Sequence, residues 1–130
     1  MNTKQVIVIR ADLKLRRGKE CAQVAHAASM WLRDYALEAH ASSDCNLTCA
    51  SLTRAQYAWL TGNYRKIVLK VDSEQQLRQI QAEAESRGLE VYPVVDDGLT
   101  EVPPNTVTAL AIGPHEDSAF VGLTDHLPLY

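Results

Sequence analysis

The chain has 130 residues, 46% of them apolar and 22% charged, with a formal net charge of −3. That length suits one domain, residues 1–130, with a single modest core, and no apolar run approaches the roughly 18 residues that cross a bilayer. Three cysteines make an odd count, which argues against a disulfide scaffold and for a reducing, cytoplasmic setting.

The net charge conceals a division. Residues 1–70 carry 11 Lys/Arg against 5 Asp/Glu, whereas residues 71–130 carry 2 against 11. Such segregation fits a basic face aimed at a polyanion; the plainer reading is that the two halves neutralise each other in the fold.

The first residues run into a strand without the layout of a secretory signal. Residues 4–10 place four aliphatic residues, Val6, Ile7, Val8 and Ile9, between polar ends, the pattern of a buried strand. A loop carrying Arg10, Lys14, Arg16 and Arg17 leads into Gly18 and Lys19, and a helix is expected over 19–38. Its apolar stripe is Cys21, Ala25, Ala28, Leu32 and Tyr35, while Lys19, Gln23, His26, Met30 and Arg33 form the opposite stripe. At about 100° per residue, Lys19, Gln23 and His26 project from one face. Lys19 falls at the helix N-terminus, where free N–H groups favour an anion, so the trio suits a phosphate or a developing oxyanion. A solvated helix face is the alternative.

Residues 39–50 are the least patterned. His40, Cys45 and Cys49 lack a clear fourth zinc ligand, so no metal is expected. Ser51 or Thr53 is placed to cap a short helix carrying Leu52, Ala55 and Trp59, ending near Gly62. A strand follows at 66–71. Ser73 and Gln76 make a capping box for a helix with Leu77, Ile80 and Ala84 inward, stopped by Gly88. Further strands are read at 90–95 and at 106–112, the last ended by Gly113-Pro114, with a short helix near 116–121. Strands alternating with helices imply a layered α/β fold with a largely parallel sheet.

Asp96, Asp97 and Gly98 follow the third strand, the end where α/β sheets bind ligands. Paired carboxylates there suit work on water or a ribose hydroxyl, although Asp-Asp-Gly is also an ordinary turn. Thr106 and Thr108 are expected on one side of the fourth strand, together with Leu110. No nucleophile elbow, Walker loop or Rossmann fingerprint is present.

Taken together, several segments in order resemble the type II peptidyl-tRNA hydrolase family. They are the run from Lys4 to Lys14, Arg17-Gly18-Lys19, Ala22-Gln23-Val24-Ala25-His26-Ala27-Ala28, and Lys66 to Val71. Asp96 to Pro104, Thr106-Val107-Thr108 and Ala111-Ile112-Gly113-Pro114 complete the match. The resemblance implies a three-layer α/β/α sandwich around a four-stranded mixed, mostly parallel sheet, a homodimer, and no cofactor. It implies cleavage of the ester between a peptide and the terminal ribose of tRNA. Lys19, Gln23, Asp96, Thr100 and Thr108 would carry that reaction with His26 in support, and Arg10, Lys14, Arg16 and Arg17 would contact the tRNA backbone. Two positions depart from the family pattern: Asp97 replaces the usual alanine and Asn105 the usual glycine. Asp97 is the feature that would favour a relative binding tRNA or a protein without hydrolysis; an unrelated phosphosugar enzyme would explain only the basic loop.

Overall fold

The residues Val6, Ile7, Val8 and Ile9 form the middle of strand β1 (Thr3–Arg10), and none is more than 1% exposed. A strand apolar on both faces must be covered on both. A computed structural model describes residues 1–41, 51–98 and 101–130 of the chain. After a 3₁₀ turn (Ala11–Leu13) come helices α1 (Arg17–Ala41) and α2 (Arg54–Thr61) and strand β2 (Lys66–Val71). Helix α3 (Glu74–Ser86), strands β3 (Val91–Asp96) and β4 (Thr106–Glu116) and a 3₁₀ turn (Asp117–Phe120) follow.

The strand order is β2-β1-β4-β3. Ile7, Ile9, Val94, Ala109 and Ala111 pack with Ala27 of α1 on one face. Val6, Val8, Leu110 and Ile112 pack with Leu77 and Ile80 of α3 and with Phe120 on the other. The three-layer sandwich around four mixed strands is therefore as expected. The sheet is not mostly parallel, however: only β1 and β2 pair in parallel, and β4 is antiparallel to both β1 and β3. A parallel crossover needs a dozen or more residues. The connection over 97–105 is too short, so the chain turns back against β3 and fills the space beside β1. Strands β1, β2 and β3 still point the same way, which brings their carboxyl ends and the start of β4 to one end of the sheet.

Helix α1 is rotated by about a quarter-turn from the face its aliphatic spacing suggests. Gln23, Ala27 and Trp31 are buried, whereas Cys21 and Ala25 of the expected inward stripe are exposed. Trp31 decides the rotation, because its large ring packs edge-on against Trp59 of α2, with centroids 6.1 Å apart. Thr53, not Ser51, caps α2: it accepts from the Gln56 N–H, and Gln56 accepts from the Thr53 N–H. Only half of the box expected at α3 forms. Ser73 accepts from the Gln76 N–H, but the Gln76 side chain accepts from Asp72 instead. Strand β4 also continues past Gly113-Pro114 to Glu116, because a register shift opposite Lys4 and Val6 absorbs the irregularity. Among the described residues, no helix is long and apolar enough to cross a membrane.

Leu77 is fully buried beneath the sheet. Leu77→Ala is expected to lower unfolding stability by about 2–5 kcal/mol, measured by urea titration.

Candidate active site

Asp96 ends β3 and is 7% exposed, a position where a carboxylate is costly unless it is paired. Three donors converge on it. Lys19 Nζ lies 2.6 Å from Oδ2, and Gln23 Nε2 donates to the same oxygen at 2.9 Å. The Gly98 N–H donates to Oδ1 at 2.8 Å. Gln23 is itself oriented, because its Oε1 accepts from the Thr108 hydroxyl at 2.7 Å. The amide can face only one way, since an ionised carboxylate has no proton to give.

The backbone around Asp96 is shaped for this. Its carbonyl accepts from the Asn105 N–H at 2.8 Å, closing the loop behind it. Asn105 adopts φ 63°, a left-handed conformation that Asn tolerates, so this departure from glycine leaves the turn intact. Gly98 has φ +78°, and a Cβ there would meet the Pro104 nitrogen at 2.4 Å. Glycine is therefore required where the loop doubles back to aim its N–H at the carboxylate.

Thr108 reaches Gln23 through a bulge. Val94 pairs with Ala109 and Val95 with Val107, so Thr108 is the extra residue. Strict alternation would put Thr108 on the Leu110 side; instead Leu110 packs toward α3 while Thr108 faces α1. The expectation that the two share a face is corrected by that extra residue, which flips the alternation.

Hydrogen bonding to Lys19 holds the Asp96 carboxyl below its ordinary value, with help from the Gly98 N–H, the Lys19 charge and Gln23, against the opposing effect of burial. A cavity of about 260 Å³ opens beside the ion pair, lined by Lys19, Gln23, His26, Val94, Val95, Asp96 and Asp97. A second recess shares Lys19 and is bounded by Arg16, Gly18 and Glu101. Lys19 keeps 21% of its side chain exposed, so its ammonium faces this space as well as Asp96. A fixed cation, an ionised carboxylate and a buried amide at an open cleft can orient water and stabilise an oxyanion.

Residues 3–130 match the family described as "Peptidyl-tRNA hydrolase PTH2". The chain belongs to this family. It is 40% identical over 127 residues to a peptidyl-tRNA hydrolase of Haloquadratum walsbyi, covering 98% of this chain and 99% of that one. A Methanopyrus kandleri protein of the same name is 42% identical over 127 residues, covering 97% of each chain. Among solved structures, a protein of unknown function from Agrobacterium tumefaciens shares the fold alone, with a TM-score of 0.58 at 14% identity. That likeness covers 100% of this chain and 98% of the other.

Of the residues singled out from the family pattern, Lys19, Gln23, Asp96 and Thr108 form one hydrogen-bonded chain. His26 and Asp97 line the adjoining cavity. Thr100 lies outside the described residues, as do Cys45 and Cys49. In the basic loop, Lys14 and Arg17 are exposed, whereas Arg16 is paired with Glu101 at 3.3 Å. Arg10 is bound to Asp12 and to the Val107 carbonyl. The two charge-segregated halves do neutralise each other in part, through Lys19–Asp96, Arg16–Glu101 and Arg65–Asp117. Sequence reading missed the backbone donor Gly98 and the Arg16–Glu101 contact; the only signal for Gly98 was a turn-forming Asp-Asp-Gly.

Because the folded-state pKa of Asp96 is lowered, its pairing stabilises the fold above the usual carboxylate range and is lost as pH falls through the lowered value. Urea midpoints followed from about pH 6 to about pH 2 should fall for the parent, and Asp96→Asn should remove that portion of the decline.

Proposed function

We propose that the chain hydrolyses the ester joining a peptide, or an N-blocked amino acid, to the 3′-terminal ribose of tRNA. The observation that carries this reading is the Lys19–Asp96–Gln23–Thr108 chain at the floor of an open cleft, in a member of this family. Asp96 has a depressed pKa, so it serves better by accepting a hydrogen bond from water and orienting it than by taking a proton outright. Lys19 offsets charge on the tetrahedral oxyanion or on the neighbouring phosphate. Gln23 holds the carboxylate in place. Thr108, fully buried, gives its proton to Gln23 and fixes that amide from beneath, leaving a ribose hydroxyl to Thr100. His26 supports the leaving ribose from the cavity wall. Lys14, Arg16 and Arg17 meet the tRNA backbone, which makes binding sensitive to salt and nearly indifferent to sequence.

The same reading places the protein in the cytoplasm, where charged tRNA is used, and makes it a homodimer. Self-association is supported by the exposed outer side of α1. There Cys21, Val24, Ala25 and Ala28 border a largely apolar groove of about 650 Å³ with Ile7 and Val68. Glu20 and Lys66 lie on the same groove and give it one charge of each sign. Ala25→Glu is expected to shift a dimer to monomer in sedimentation experiments; a parent protein that sediments as a monomer overturns this part.

The decisive assay incubates the protein with N-acetyl-aminoacyl-tRNA and follows release of the blocked amino acid. Lys19→Ala should slow release well over tenfold, a barrier increase of about 1.4 kcal/mol or more, and Asp96→Asn should abolish it. Tight tRNA binding without release by the parent would refute hydrolysis.

A further inference from the structure

Arg10 stands with the basic loop in sequence but not in structure. Its side chain is 11% exposed, against 92% for Arg16. Nε and Nη2 donate to the two oxygens of Asp12 at 3.1 and 2.7 Å, and Nη1 donates to the Val107 carbonyl at 3.1 Å. The guanidinium is thus laid flat against one carboxylate while its far corner is fixed to β4, one residue before Thr108. A phosphate approaching this group would have to displace Asp12 and compete with its charge. Asp12 belongs to the 3₁₀ turn leading to α1, whose first turn carries Lys19.

We propose that Arg10 is a positioning residue that fastens the basic turn before α1 to the start of β4. It thereby sets the gap across which Lys19 and Thr108 reach Asp96 and Gln23. Only a planar fork can span a carboxylate and a carbonyl on two elements at once, so lysine cannot substitute for it. The turn held in this way ends at Lys14, whose left-handed φ of 51° closes it and whose side chain is exposed. One residue therefore links the part of the surface that meets tRNA to the part that holds the reacting groups. The kinetic side of this inference rests on the esterase reading; the binding side does not.

The test compares Arg10→Gln, Arg10→Lys and Arg17→Gln with the parent, using deacylated tRNA for binding across a sodium chloride series and N-acetyl-aminoacyl-tRNA for turnover. Arg17→Gln should reduce the slope of log affinity against log salt by about 0.7–0.9, the loss of one phosphate contact. Arg10→Gln should leave that slope unchanged and KM nearly so, while kcat falls roughly tenfold or more and Arg10→Lys fails to restore it. The acid limb of kcat should also move toward neutral pH, because Asp96 loses the alignment of its donors. A slope lost in Arg10→Gln as in Arg17→Gln, with kcat kept, overturns the proposal. A drop in amplitude with the acid limb unmoved also overturns it, since that marks a role in folding alone. Should Arg10→Gln fail to fold, Asp12→Asn decides: lower kcat at unchanged KM supports the clamp, whereas tighter tRNA binding with a steeper salt slope overturns it. A parent that releases nothing refutes the esterase reading, while the binding slopes still report whether Arg10 meets a phosphate.

Discussion

The carboxylate of Asp96 has to be paid for in hydrogen bonds, and the way it is satisfied organises the molecule around it. At 7% exposure it has little water to rely on, so an ammonium, an amide and a backbone N–H supply the stabilisation instead. Each donor comes from a different place: the first turn of α1, its second turn, and the loop after β3. The start of α1 must therefore lie against the carboxyl end of an edge strand. The loop must reverse at once, which only glycine at position 98 permits.

Topology brings the fourth member of the chain to the same spot. Because β4 returns directly alongside β3 and inserts beside β1, its first residues lie at the end where β1 and β3 finish. Even so, an unbroken strand would have turned Thr108 toward α3. The extra residue in β4 reverses its facing and gives Gln23 an acceptor-to-hydroxyl bond on its otherwise free oxygen. A buried amide left with one end unpaired would cost about 1–3 kcal/mol, so the bulge both builds the site and stabilises the core.

Helix α1 does two jobs with two sides. Its buried side mixes Gln23 with Ala27 and Trp31, a polar residue beside the site and apolar ones farther along. Its outer side leaves Cys21 and Ala25 exposed at an apolar groove, where Glu20 accepts from the Tyr130 hydroxyl. Electrostatics follow the same division of labour. Arg10 and Arg16 are joined to carboxylates of the chain itself, Lys19 to Asp96, and Lys14 and Arg17 present exposed charge.

Much of the fold was legible in local pattern. The β-branched run of β1, the inward Leu77, Ile80 and Ala84 of α3, a cap at Ser51 or Thr53 and the stop at Gly88 each depend on neighbours a few residues away. The spacing of Lys19, Gln23 and His26, and an Asp-Asp-Gly after a strand, likewise marked where chemistry could be. Local pattern could not say which side of α1 faces inward, because its alanines are compatible with several rotations and the packing of Trp31 on Trp59 selects one. Nor could it place β4 between β1 and β3, reverse Thr108, or separate Arg10 from the exposed cations beside it. Those outcomes depend on contacts between segments distant in sequence, where the need to satisfy a buried charge outweighs the preferences of any single element.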